Sequence, residues 1–342
     1  MSLHNLPHRA IRSLALSASS WARPWRTGRS GRTDGHGPSF AVIGNCQARG
    51  IAQAIRLLRP GSPVTYIPMG TLRRRYGTVE ALAEQVAGHA HVYSQFVPPD
   101  LIPGGTDALR VLDPRIVRFP TLVFQAYHPD MVYAGPMTTL AGMKLAPSPL
   151  GFYHSAIALC AYRLGLDAGQ TVRLYREDVF RRLGYLAGWD DAVRDLLANA
   201  DGVGFPLGAD LVRWARRGAF MHLLNHPKAF VLGDIARRLV MESGLTPEPV
   251  AVEDYLGDDL ARDVVWPIYP PIAEAYGLTG SYLFKARPRG EAFPTLYDLR
   301  GFIDASFALY ARQAPADIAC HRVETWLGMP EIVETFLRET TA

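Results

Sequence analysis

The segment Phe40-Ala-Val-Ile-Gly-Asn-Cys-Gln-Ala-Arg-Gly50 constrains this chain more than any other. Phe40 to Ile43 is an unbroken apolar run, the pattern of a strand buried on both faces. It stops at Gly44, after which Ile51, Ile55 and Leu58 fall on one face of a helix. A strand that turns this abruptly into a helix presents its turn at the carboxyl edge of a sheet. That turn carries Cys46. A thiol at a helix N-terminus feels the positive end of the dipole, so its pKa is expected below the free value of about 8.5. Asn45 and Gln47 flank it with amide donors, a polar frame poorly suited to filling a core. Cys46 is therefore a candidate nucleophile or thiol-handling group, weighed against the inert buried cysteine common in proteins.

The first half of the chain alternates. Strand-like runs near 40–44, 64–67, 91–94 and 120–125 are separated by helical patterns at 48–58, 78–88 and 107–113. This predicts an α/β fold with a short parallel sheet and crossover helices in the N-terminal half. Such sheets bind ligands beyond the carboxyl ends of their strands, where Cys46, Ser94 and Gln125 to His128 fall. The C-terminal half is predicted to be mainly helical. Tyr153, Ile157, Cys160 or Ala161, and Leu164 form one stripe, and Asp167 with Gln170 forms a capping box. Another helix follows Asp190 at about 190–200, and Pro227 sits in the first turn of one running to about 243. Residues 246–294 read as long loops, with final helices near 297–312 and 318–339. The expected organisation is a basic extension (1–38), a sheet portion carrying the Cys turn (39–150) and a helical portion (151–342) completing the site in one compact unit.

Three cysteines, Cys46, Cys160 and Cys320, form neither a disulfide framework nor a zinc-binding spacing, and they suit a reducing, cytoplasmic compartment. The net charge of +4 is concentrated at the start: residues 1–38 hold six arginines and one aspartate, leaving 30 basic and 31 acidic residues elsewhere. The basic balance is thus no argument for nucleic-acid binding by the folded body. The Arg- and Ser-rich start resembles a transit peptide in composition, lacks a secretory apolar stretch, and reads as a disordered extension able to touch anionic membrane surfaces weakly. The longest stretch free of acidic and basic residues, Leu145 to Tyr162, contains Pro147, Pro149 and His154, so no transmembrane span is expected. The oligomeric state is not legible.

Two further polar motifs stand out. In Gln125-Ala-Tyr-His-Pro-Asp130, His128 is a candidate base and Asp130 a candidate to orient it. In Met221-His-Leu-Leu-Asn-His-Pro-Lys228, a helix starting at Pro227 would put Asn225, His226 and free N–H groups around an anion site, with Lys228 adding charge. A zinc site from His222 and His226 with Cys46 or Asp130 is disfavoured, because the Asn-His-Pro turn breaks the helix such a pair needs, and no metal is expected. His154 reads as a satisfied interior histidine. Arg73 to Arg75 and the Arg176 to Arg182 charges read as solvated faces, and Trp189, Trp214, Tyr255, Trp266 and Tyr269 mainly as core, with sugar stacking as the alternative. Dinucleotide and Walker A glycine spacings are missing, which weakens nicotinamide- and ATP-based readings.

Gly44-Asn-Cys-Gln47 after a first strand, then Tyr127-His-Pro-Asp130, then Asn225-His-Pro227, resembles the WcbI family of polysaccharide-biosynthesis enzymes over roughly residues 39–245. The turn also resembles the nucleophile turn of SGNH-type esterases, with Cys in place of Ser. The resemblance implies CoA-dependent acetyl transfer to a sugar hydroxyl in capsular or exopolysaccharide synthesis. Acetyl-CoA would be co-substrate and a sugar or glycan the acceptor. Cys46, His128 and His226 would be catalytic, and Asn45, Gln47, Asp130 and Asn225 would position substrate or oxyanion. Lys228 and Arg49 would hold the CoA phosphates. The rivals are an esterase or deacetylase using water, and a non-catalytic glycan- or nucleotide-binding protein.

Overall fold

The computed structural model describes residues 37–136, 144–288 and 293–338; the predicted basic extension falls almost wholly outside them. Strand β1 (Phe40–Gly44) leads into helix α1 (Cys46–Leu58), followed by β2 (Val64–Pro68), α2 (Val79–Ala87), β3 (His91–Ser94), α3 (Gly105–Leu112) and β4 (Val117–Arg118). These strands form one parallel sheet of order β2-β1-β3-β4. β1 is buried along its whole length, as its unbroken apolar run requires. Its side chains alternate: Phe40 and Val42 join α1 and the bulk of the molecule, while Ala41 and Ile43 meet Leu72, Val79, Leu82 and Leu109 on the opposite face.

The predicted fourth strand lies elsewhere. The ladder stops at Arg118, Phe119 N–H still donating to Ser94 O (3.1 Å), and 120–125 is extended but unpaired as strand. Pro120 has no N–H to offer a ladder. The backbone groups that follow find other partners: Gln47 binds Leu122, and Phe124 N–H donates to Leu224 O (2.8 Å).

Short antiparallel pairs and helices complete the chain. β5 (Met131–Val132) pairs with β6 (His154–Ser155), leading into α4 (Ala156–Arg163). Next come α5 (Ala168–Val172), whose Asp167–Gln170 capping box forms as expected, then α6 (Glu177–Arg182) and α7 (Trp189–Asp201). Helix α8 (Gly208–Arg216) was not anticipated, since only Leu211 and Trp214 face inward, too few to make a stripe. The pair β7 (Met221–Leu223) and β8 (His226–Pro227) precedes α9 (Ala229–Glu242). The helix expected from Pro227 thus begins two residues later, because His226 and Pro227 are engaged with β7. Residues 246–288 are loops with short helical turns and one bridge, Val265 to Lys285, in β9 (Phe284–Lys285), which pairs with β10 (Leu296–Tyr297). α10 (Leu299–Tyr310) follows. The single last helix predicted over 318–339 is two, α11 (His321–Leu327) and α12 (Pro330–Arg338), divided at Gly328-Met329 because Pro330 can only start a new helix.

α9 lies against α1, and Gly50 permits it: a Cβ there would overlap Leu232. One apolar body extends from Phe40 to Phe336 and includes Trp214, Trp266 and Tyr269, so these rings are core. Tyr255 is 65% exposed. Among the described residues, no helix is long and apolar enough to cross a membrane.

Candidate functional site

β1 has β2 on one side and β3 on the other, so the winding of the sheet reverses at β1 and opens a crevice beyond its carboxyl end. The turn at that end is fixed from both sides. Asn45 N–H donates to Gln95 Oε1 (2.8 Å), just past β3, and the Tyr66 hydroxyl of β2 donates to Asn45 O (2.9 Å). Gly44 makes the first contact possible, because a Cβ there would strike the Gln95 carboxamide. Asn45 caps α1, its Oδ1 accepting from Gln47 N–H (2.9 Å). Cys46 is the first helical residue and is partly exposed.

Gln47 does not point a donor at substrate. Its Nε2 donates to Leu122 O (2.8 Å) and Asn225 O (2.9 Å), and its Oε1 accepts from Leu122 N–H (2.9 Å). This corrects the expected oxyanion role: the carboxamide serves as a strand edge for the loop after β4 and anchors the Asn225 turn to the Cys turn. Asn225 is buried beside the same turn. Its Oδ1 accepts from the Tyr153 hydroxyl (3.3 Å) and its Nδ2 donates to the Tyr133 hydroxyl (3.4 Å). The two tyrosine rings lie 5.2 Å apart, and Tyr153 meets the His226 ring edge-on at 6.2 Å. His226 Nδ1 is buried without a partner.

The electrostatics reverse the expectation for Cys46. Burial pushes its thiol up to about 12, with the Asp263 carboxylate adding in the same direction. The N–H groups at the start of α1 and the Arg49 guanidinium pull the other way and are outweighed. The Cys46 field in turn raises the phenols of Tyr66, Tyr133 and Tyr153 beyond what burial does. Asp263 also acts on His226, where burial dominates and lowers the imidazole to about 4. Asp263 is paired with Arg287 (2.8 Å), and Arg49 with Asp259 (3.1 Å). Cys46, Tyr66, Tyr133, Tyr153, Asn225, His226, Asp263 and Arg49 thus line one neighbourhood.

His128 lies deeper. It is 2% exposed, neither ring nitrogen has a close hydrogen-bond partner, and burial lowers it to about 3, opposed by a weaker main-chain interaction with Trp266. Asp130 does not orient it. Its Oδ1 accepts from Ile157 N–H (2.9 Å) and the Tyr185 hydroxyl (3.0 Å), and its Oδ2 from the Tyr269 hydroxyl (2.8 Å). This fully buried carboxyl, its pKa raised by burial, holds the start of α4. The anion site expected around Asn225, His226 and Lys228 is also corrected. The N–H of Ala229, first in α9, donates to Asp258 Oδ2 (2.9 Å), so the protein's own carboxylate occupies that helix end. Lys228 is the cap residue, half-buried, its pKa lowered by burial and partly restored by Asp258. His154 is interior and satisfied, bonded to Tyr310 and Ala146 O at 3.0 Å each.

Sequence reading missed Tyr66, Gln95, Tyr133, Tyr153, Asp263 and Arg287. Tyr153 sits just before β6 beside the interior His154, and its bond to Asn225 reaches a distant segment. Asp263 and Arg287 lie in an aperiodic stretch, and the Val265–Lys285 bridge, with the Lys285 Nζ bonds to Ala261 O and Asp263 O, brings them together. Among the described residues no group of three or more His, Cys, Asp or Glu is arranged to hold a metal ion.

A profile of the family described as polysaccharide biosynthesis enzyme WcbI matches residues 39–248. A search of curated proteins finds no match. A solved structure of WcbI, described as a novel polysaccharide biosynthesis enzyme and as the native protein without a disulfide bond between CoA and a cysteine, superposes with a TM-score of 0.62. It is 16% identical, and the alignment covers 89% of this chain and 99% of that one.

Proposed function

Since this chain belongs to the WcbI family of polysaccharide-biosynthesis enzymes, we propose that its crevice binds acyl-CoA and transfers the acyl group to a sugar hydroxyl. The observation that carries this reading is the placement of Cys46, a thiol at the carboxyl edge of β1 where the sheet reverses. The WcbI structure, described in terms of CoA and a cysteine, supports it. Arg49 would hold a CoA phosphate.

A thiol held near 12 favours direct transfer over a covalent acyl-cysteine, since very little thiolate exists near neutrality. Cys46 then lines the thioester. The acceptor hydroxyl loses its proton to an imidazole as its oxygen bonds to the acyl carbon. The carbon–sulfur bond breaks, and the CoA thiolate recovers the proton. The positive end of α1, set by the Asn45 cap, would face the tetrahedral oxyanion.

CoA at 100 times its Kd should stabilise the protein by about 2.7 kcal/mol, read as a rise in thermal midpoint. Acetyl-CoA with methyl hexosides should yield an acetylated sugar and free CoA. Ester hydrolysis with no CoA-dependent shift would replace this reading with the esterase one.

A further inference from the structure

Of the imidazoles gathered here, one has a carboxylate partner. His222 Nε2 lies 2.8 Å from Asp258 Oδ2. Asp258 is itself fixed: its Oδ2 also accepts from Ala229 N–H (2.9 Å) and its Oδ1 from Ala261 N–H (3.0 Å). Burial alone would raise its pKa, but the bonds from His222, Ala229 and Ala261 outweigh that, so it stays ionised. His222 stands on β7, and its carbonyl accepts from Trp266 N–H (3.1 Å), which pins strand and loop together.

We propose that His222 and Asp258 form the proton-handling dyad of the crevice, with His222 Nδ1 as the base. The inference rests on the acyl-transfer reading above and replaces His128 and His226 as bases. Asp258 accepts the Nε2 proton and so selects the tautomer with Nδ1 unprotonated. Nδ1 takes no hydrogen bond among the described residues, and the His222 side chain keeps 14% of its exposure. His128 and His226 are 2% and 3% exposed, and among the described residues neither is hydrogen-bonded to a carboxylate. The carboxylate that His222 meets is Asp258, and the field of His222 also reaches the neutral imidazoles of His226 on β8 and His128 after β4. In the reaction Nδ1 takes the acceptor hydroxyl proton as oxygen attacks the thioester carbon, then returns it to the departing CoA sulfur.

The test compares wild type with His222→Ala and Asp258→Asn, using acetyl-CoA and methyl hexosides. In His222→Ala, kcat should fall roughly 10²- to 10⁴-fold. CoA binding should hold, and added imidazole should restore turnover. Asp258→Asn should lower kcat with little change in KM for acetyl-CoA. Imidazole rescue separates proton transfer from a structural role, which a small base in solution would not repair. A His222→Ala protein that transfers at the wild-type rate, or one that loses turnover without rescue while still binding CoA, overturns the dyad. Wild type that neither binds CoA nor transfers overturns the acyl-transfer reading, and this role with it.

Discussion

The Gln47 carboxamide and the Leu122 peptide exchange two hydrogen bonds, at 2.8 and 2.9 Å, as neighbouring strands would. A side chain at the start of a helix thereby takes the place of a missing strand, and the same group holds Asn225.

Gln47→Leu keeps the bulk but strands the Leu122 N–H and two carbonyls. The expected loss is about 3 kcal/mol or more in urea unfolding, since each buried unpaired group costs about 1–3 kcal/mol. Gln47→Glu should be nearly as damaging, because a carboxylate cannot donate. A change under 0.5 kcal/mol would show that the loop is held by other means.

Cys46 should react slowly with a neutral disulfide reagent at pH 7.4, its thiolate fraction lying roughly 10³-fold below that of a free thiol. Asp263→Asn removes the carboxylate that raises the thiol and should speed labelling; Arg49→Gln should slow it. Labelling as fast as a model thiol would contradict the raised pKa of the Cys46 thiol.

Gly50→Ala should cost about 1–3 kcal/mol by driving α1 into Leu232. In a double-mutant cycle, Leu232→Ala should cost less in the Gly50→Ala background than alone. Additive losses would mean the two helices part freely.

His128, His154 and His226 are lowered to about 3, 4 and 4, mainly by burial. A histidine depressed in the fold binds its proton better when unfolded. Its stabilising effect is therefore present above the unfolded pKa of about 6.5 and is lost as pH falls through the folded value. Unfolding free energy should drop by up to about 1.4 kcal/mol per pH unit for each such histidine between about pH 6 and 4. Chemical denaturation across this window would check it; a flat profile would show that these rings accept protons in place.

Much of the fold was legible because its cues are local. An apolar run closed by Gly44, the stripe Ile51-Ile55-Leu58 and the Asp167–Gln170 box each fix structure within a few residues. The resemblance to the WcbI family is likewise confirmed. Where long-range pairing decides, local cues failed. Pro120 ended a ladder that the apolar run through Phe124 suggested, and β7 drew His226 and Pro227 out of the helix. The site divides in the same way. Cys46 was visible from its turn, but the sign of its pKa shift was not, because Asp263 and the surrounding tyrosines come from remote segments. Asp130 looked like a partner for His128 from two residues away, yet its carboxylate bonds span from Ile157 to Tyr269.

The apolar body that joins Phe40 to Phe336 sets the smallest piece of this chain able to stand alone. A fragment cut after residue 248, where the family match ends, would lose Trp266, Tyr269, Phe284 and Phe302 and leave a wide oily surface facing water. Such a truncate should precipitate, so the segment after residue 248 is as much a part of the folding unit as the segment by which its kin are recognised.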